Sequence, residues 1–452
     1  MMNDPVKIDT GYVSGVVLGG VKKRVRVYRG IPYAASAAGE FRWRPPQPVE
    51  PWKGIRECTQ WGNRSPQRPR EGFGEIGENC LNLNVLTPAK KTNDCLPVMV
   101  WFHGGGLGIM TANSPLYCYT ALPQHGVVVV TVNSRLDAIG YMAHPALTAE
   151  SGNRASGNSG TMDLIASLKW VQRNITAFGG DPGNVTIFGE SGGGTKVLSC
   201  MTLPLAKGLF HRAIIQSGSA LTAENASTPL ERAEGIGEKI VEHLGLSGEK
   251  DVLSALRAMP WVDVTKAGSK VGFFPNLTID GYVLPGSVHN IFKSGKQIDV
   301  PLMVGANAGE EGELTQRVPF TAANMANVSS KAYAYVFSHV PKKWTEEGCV
   351  AFHGIEVPYV FGYLRGLSDF TLIGLSKRGG AKSGNPGLER IDDTIADNMM
   401  RTWVQFAKTG DPNVEGLTPW PPYEASTQRY MDFGKTFEVK SGIEKAFVKP
   451  PA

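Results

Sequence analysis

The chain has 452 residues, 42% hydrophobic and 19% charged, a balance that excludes an extended disordered chain and predicts a soluble globular protein with a large core. A net charge of +5 is mild over this length, and no run of five or more like charges marks a surface for nucleic acid or an anionic membrane, which leaves a small molecule as the expected partner. No stretch of 18 or more apolar residues predicts a membrane span, and six scattered cysteines without C-x-x-C spacing predict neither a disulfide scaffold nor a zinc site.

The start, Met1-Met2-Asn3-Asp4-Pro5, lacks the charged-then-apolar layout of a signal peptide. As written the chain is expected in the cytoplasm, or in a secreted or periplasmic setting if a leader has been removed. Residues 7–30 alternate β-branched residues with Gly, Lys and Arg, and predict a small antiparallel meander at a lid or edge, separate from the main sheet. The aromatic, Pro-rich run 41–48 predicts irregular scaffold. Residues 80–86 alternate at period two, and 97–102 and 127–132 are continuous apolar runs of buried strands. The run 97–102 ends in His103-Gly104-Gly105-Gly106, whose bare backbone amides suit an anion-binding nest. A helix is expected over 162–174, with Leu164, Leu168, Trp170 and Val171 on its apolar face, then a turn at Asp181-Pro182-Gly183-Asn184.

Val185-Thr186-Ile187-Phe188-Gly189-Glu190-Ser191-Gly192-Gly193-Gly194 reads as strand, sharp turn and helix with Ser191 at the apex. Side chains at positions 189 and 193 would collide across such a turn, which accounts for both glycines. Farther on, 210–218 predicts a buried strand, 229–260 helices, and 298–305 a strand ending in Ala306-Asn307-Ala308-Gly309-Glu310-Glu311-Gly312. Carboxylates at the C-terminal end of such a strand lie on the functional rim of an α/β sheet. A strand at 332–337 and a last helix at 392–408 follow, and the Gly/Lys/Ser segment 374–388 predicts a mobile surface excursion. No linker divides the chain, so residues 1–452 are expected to form a single domain of the α/β class.

A serine hydroxyl is a poor nucleophile until a base accepts its proton, and that base needs an acid to hold its tautomer. The chain offers Ser191, then Glu310 or Glu311, then His353, which is the Ser, acid, His order of an α/β-hydrolase. G-x-S-x-G alone is a weak pattern in a chain with 54 glycines, so the partners decide its meaning.

Ordered blocks extend the pattern. They include Arg29-Gly30-Ile31-Pro32-Tyr33-Ala34, Asn79-Cys80-Leu81-Asn82-Leu83-Asn84-Val85, Trp101-Phe102-His103-Gly104-Gly105-Gly106 and Asn174-Ile175-Thr176-Ala177-Phe178-Gly179-Gly180-Asp181-Pro182. Phe188-Gly189-Glu190-Ser191-Gly192-Gly193, His353-Gly354-Ile355-Glu356-Val357-Pro358-Tyr359-Val360-Phe361-Gly362 and Trp403-Val404-Gln405-Phe406-Ala407-Lys408-Thr409-Gly410-Asp411-Pro412-Asn413 complete them. Together they resemble the type-B carboxylesterase and cholinesterase family across nearly the whole chain.

The resemblance implies an α/β-hydrolase fold, with a central, mostly parallel twisted sheet, helices on both faces and a small N-terminal antiparallel meander. It implies a serine carboxylic-ester hydrolase working through an acyl-enzyme, without cofactor or metal. Ser191 would be the nucleophile and His353 the base. The family places its acid five residues past the glycine ending the strand, often before a glycine; Glu310 has the spacing and Glu311 the following Gly312. Glu310 is preferred because a rigid strand end fixes where its carboxylate lands. The amides of Gly105, Gly106 and Gly192 would form the oxyanion hole, with Glu190 and Ser217 supporting the nucleophile and the acid. Arg42 with Glu78 and Arg135 with Asp163 look like buried structural ion pairs.

Departures from the family also carry expectations. The 43 positions from Glu310 to His353 are fewer than in larger members, which predicts a more open site. Leu107 replaces the usual aromatic residue, against cholinesterase activity. Ser65 stands where the disulfide partner of Cys80 is usual, so that bridge is expected to be absent or rewired through Cys58. Lactone, thioester or bulky polyester substrates are alternatives, and a non-catalytic binding role is the distant one. The sequence leaves the oligomeric state open.

Overall fold

The computed structural model of the chain describes residues 4–20, 23–69, 73–218, 222–223, 226–310, 314–368 and 370–449. Among these, eleven strands join in one large sheet. In chain order they are β1 (Val16–Leu18), β2 (Val25–Pro32), β3 (Asn82–Thr87), β4 (Leu96–Phe102), β5 (Val128–Val132) and β6 (Gly180–Glu190). The remainder are β7 (Arg212–Gln216), β8 (Leu302–Asn307), β9 (Ala332–Phe337), β10 (Tyr430–Phe433) and β11 (Phe437–Lys440). The spatial order is β11-β10-β9-β8-β7-β6-β4-β5-β3-β2-β1. Pairing is parallel from β5 through to β10 and antiparallel at both margins, so the sheet is mostly parallel.

The helices that position the site are α1 (Ser159–Asn174), α2 (Gly192–Cys200), α3 (Leu314–Ala323), α4 (Phe370–Arg378) and α5 (Arg390–Thr409). The apolar residues of β4, β5 and the second half of β6 are buried without alternation, which requires cover on both faces. That cover comes from α2 against β4, β6 and β7, from α5 against β4 and β6, and from α3 against β8 and β9. Trp101, Phe188, Phe361 and Tyr117 interlock on one face with ring centroids 4.8 to 5.7 Å apart. A second apolar cluster joins Trp43 and Ile139 to helices Leu230–His243, Val252–Ala258 and Trp261–Lys270.

The two expected ion pairs are present. Arg135 and Asp163 are fully buried and doubly bonded at 2.6 and 2.8 Å. Arg42 is held by Glu78 at 2.6 Å and donates to the carbonyls of Leu256 and Met259, tying the second cluster to the main body.

Several sequence expectations need correction. Of the N-terminal meander, only strands Val6–Ile8 and Gly11–Ser14 stand apart, in a small sheet with Ile55–Glu57. β1 and β2 instead extend the main sheet, because β2 pairs with β3. The expected Asp181–Asn184 turn is present but lies within the bounds of β6: Leu96 opposes Gly180 and Val98 already opposes Val185, so the four residues loop out of the ladder, with the Gly183 amide donating to Asp181 Oδ1 at 2.8 Å. β8 begins at Leu302, after Pro301, and runs on to Asn307. Helix Trp261–Lys270 and strands β10 and β11 lie beyond the elements that the sequence pattern predicts. The segment 374–388 is not simply a surface excursion, since its first residues end α4 and face the cavity described below. All six cysteines are free; Ser65 lies in hydrogen-bonding reach of the Cys80 thiol, and no bridge through Cys58 replaces the missing one.

Candidate active site

Ser191 joins β6 to α2 with φ 58° and ψ −122°, a backbone conformation strained for any residue with a side chain. Its amide donates to the Gln216 carbonyl at 2.8 Å, extending the β6–β7 ladder to the apex. A Cβ at Gly189 would lie 2.6 Å from both the Gly193 and Phe102 carbonyl oxygens, and one at Gly193 would fall inside the Phe102 carbonyl. Glycine at both positions is therefore what lets strand, apex and helix close up. The start of α2 points its free amides and positive dipole end at the same place, a setting that favours developing negative charge.

Glu310 follows the end of β8 and is 4% exposed. Its Oε1 lies 3.0 Å from His353 Nδ1 and accepts from Ser217 Oγ at 2.6 Å and Asn307 Nδ2 at 3.0 Å. Oε2 has no hydrogen-bond partner among the described residues. The alternative acid, Glu311, lies outside the described residues. Ser217 is itself held at φ 48° just beyond β7, which aims its hydroxyl at the carboxylate.

The other ring nitrogen, His353 Nε2, is 3.1 Å from Glu190 Oε1, within ion-pair distance though not aligned as a hydrogen bond. Burial disfavours the imidazolium, but Glu190 and then Glu310 outweigh it and raise His353 to about 10. Burial likewise pushes the Glu190 carboxyl up to about 8, with His353 opposing and Glu356 and Glu310 adding to the rise. The charge on each of these groups therefore depends on the others, and they titrate together.

Four residues to which sequence reasoning gives no role, Asn307, Glu356, Gln216 and Trp403, complete the polar network. Asn307 Nδ2 also donates to Glu356 Oε2 at 2.6 Å, Gln216 Nε2 donates to Glu356 Oε1 at 3.2 Å, and Trp403 Nε1 on α5 donates to Gln216 Oε1 at 3.1 Å. Glu356 is fully buried, and burial with the nearby Glu310 raises its pKa. Its place three residues after His353 was the one available signal. His339 and Asp392 make a second buried His–acid contact at 2.7 Å, but there Asp392 forms part of the capping box of α5.

Ser191, Glu190 and His353 open into one cavity of about 850 Å³. Its lining includes Gly104, Gly105, residues 109–111 and 113–117, Gly354, Val357, Tyr363, Leu375 and Arg378. Among the described residues, none of those lining the cavity lies between Glu310 and His353. Leu107 is buried away from this wall, its carbonyl accepting from the Asp137 amide at 2.8 Å. Among the described residues no cluster of His, Cys, Asp and Glu could hold a metal, and no helix is long and apolar enough to cross a membrane.

A family model described as "Carboxylesterase family" matches residues 3–321 and 314–449. The chain belongs to the carboxylesterase family. As such it is a carboxylic ester hydrolase. This carboxylesterase is 34% identical to a fumonisin B1 esterase of Sphingopyxis macrogoltabida over 94% of its own length and 85% of the relative's. It is 30% identical to a para-nitrobenzyl esterase of Bacillus subtilis, covering 98% and 97% of the two chains. A solved PNB esterase structure superposes with a TM-score of 0.82 at 27% identity, over 96% of each chain. The α/β-hydrolase fold of this carboxylesterase is thus supported by strand order and by structural likeness alike.

Proposed function

We propose that this carboxylesterase cleaves its substrates through a Ser191–His353–Glu310 triad and an acyl-enzyme, within a single α/β-hydrolase domain. The observation that carries the reading is the Glu310–His353 contact of 3.0 Å opening on the same cavity as a serine at a strained strand-to-helix apex. Ser191 Oγ attacks the ester carbonyl carbon as His353 Nε2 takes its proton. The carbonyl oxygen becomes an oxyanion received by the amides of Gly105, Gly106 and Gly192. Collapse expels the alcohol, which takes the proton back from Nε2, and water repeats the sequence to release the acid. Glu310 holds Nδ1 and balances the imidazolium charge. In the arrangement described, Nε2 faces Glu190, so the productive state breaks that contact and turns Nε2 to Ser191.

An aryl ester with a slow-leaving acyl group tests the acyl-enzyme directly. A pre-steady-state burst of one alcohol per protein is expected, with mass spectrometry finding the acyl adduct on the peptide containing Ser191. Linear release without an adduct there would discard the covalent route.

Glu190→Gln is expected to shift the acid limb of the kcat/KM profile down by about one to two pH units. The Glu190 charge stabilises the imidazolium, a raised His353 pKa keeps the base protonated to higher pH, and removing the charge frees the base earlier on the pH scale. The profile should be measured with a neutral ester; a limb that stays put or moves up contradicts the coupling.

A further inference from the structure

The loop proposed to carry the oxyanion donors rests directly on α2. A Cβ at Gly193 would run into the Phe102 carbonyl and one at Gly192 into the Gly106 backbone, so both ends of the stretch 102–106 are seated on the first turn of the helix. One turn farther along α2 is Lys196, 1% exposed. Its Nζ donates to the His103 carbonyl at 3.0 Å, and no other hydrogen bond or salt bridge to Nζ is present among the described residues. Burial lowers its pKa to about 7, with no carboxylate offsetting the loss of water. The adjacent His103 imidazole adds no charge: burial, and then Lys196, hold its pKa well below the ordinary value.

A buried lysine with one carbonyl partner is a poor choice for stability, since an apolar side chain of similar volume would avoid the desolvation. Its value is better sought in what it touches. We infer that Lys196 is a positioning residue for ester hydrolysis, its ammonium anchoring the His103 carbonyl so that the amides of Gly105 and Gly106 stay aimed at the developing oxyanion. The inference rests on the oxyanion reading above. An amine N–H donates in either protonation state, and the charged form makes the stronger bond. Because Lys196 acts through the loop, the loss on its removal is smaller than the 100-fold or more typical of deleting an oxyanion donor itself.

The test compares wild type, Lys196→Met and Lys196→Gln using an ester substrate, a trifluoromethyl ketone that forms a tetrahedral oxyanion adduct, and the matching methyl ketone. Lys196→Met is expected to lower kcat about 10- to 100-fold with KM changed less than about threefold. The Ki of the trifluoromethyl ketone should rise in proportion to the fall in kcat/KM, while the melting temperature stays within a few degrees. A residue serving stability alone gives the opposite pattern, a lower melting temperature with kcat per folded site unchanged. Should Lys196→Met not fold, Lys196→Gln serves in its place; failure of both to fold assigns Lys196 to the scaffold and overturns the inference. A folded variant with wild-type kcat and Ki overturns it too. If the wild-type protein binds the two ketones equally, the oxyanion reading itself is wrong; tight wild-type inhibition left intact by the substitution removes only Lys196.

Discussion

Ser191→Ala is expected to lower kcat by about 10⁵- to 10⁶-fold and to leave the fold in place. The size follows from the proposed mechanism: without Oγ there is no covalent route, and only the oxyanion donors and substrate positioning remain. The fold persists because the apex is fixed from outside the hydroxyl, by the Ser191 amide on Gln216 and by the close approach at Gly189 and Gly193. Ser191→Gly adds an independent check on the strain. It should be as inactive as the alanine variant yet melt slightly higher, since relief of about 1–3 kcal/mol of backbone strain exceeds the roughly 0.5–1 kcal/mol entropic cost of glycine. Turnover and fluorophosphonate labelling of clean preparations decide the first point and calorimetry the second. Retained turnover in Ser191→Ala would end the mechanism.

Glu310→Gln is expected to give the second large effect, a loss of about 10³- to 10⁴-fold in kcat/KM, set beside an expected change of less than about threefold for Glu311→Gln. Glu310 Oε1 gathers His353, Ser217 and Asn307 at hydrogen-bonding distance. An amide oxygen can keep those contacts but not the negative charge that balances the imidazolium formed during attack. Steady-state kinetics on both variants, normalised to folded protein, tests the assignment. Equal and mild losses would mean that neither glutamate orients the base, and a large loss at Glu311 alone would move the role to it.

Much of the architecture is legible in the sequence because buried parallel strands are written as uninterrupted apolar runs, as at 97–102 and 127–132. Short marginal strands such as β10 and β11 lack that signal. In the candidate site, chain order and motif point to Ser191 and His353 and leave Glu310 and Glu311 as alternative acids, and only the family resemblance ranks Glu310 first; chemistry restricts these residue types, and the turn restricts the glycine neighbours of Ser191. Gln216, Asn307 and Trp403 carry no such mark. Each is an ordinary residue whose part depends on a contact made only after folding; Trp403 and Gln216 are separated by 187 positions. Composition misled at 374–388, where glycines and lysines masked a helical start that brings Leu375 and Arg378 to the cavity. Lys196 is hidden for the opposite reason, because a lone lysine inside a helix reads as solvent-facing until its neighbours are known.

The hydrogen-bonded path from Trp403 through Gln216, Glu356 and Asn307 to Glu310 has a consequence for how short this enzyme can be made. Among the described residues none beyond Arg378 lines the cavity, so the final helix looks dispensable to anyone trimming toward a minimal catalyst. Its indole is nevertheless the outermost strut of a truss that ends on the proposed acid. Deleting α5 would leave Gln216 free to turn and Glu356 with one brace fewer, so the protein's minimum length is set by the support of its chemistry and not by the reach of its pocket.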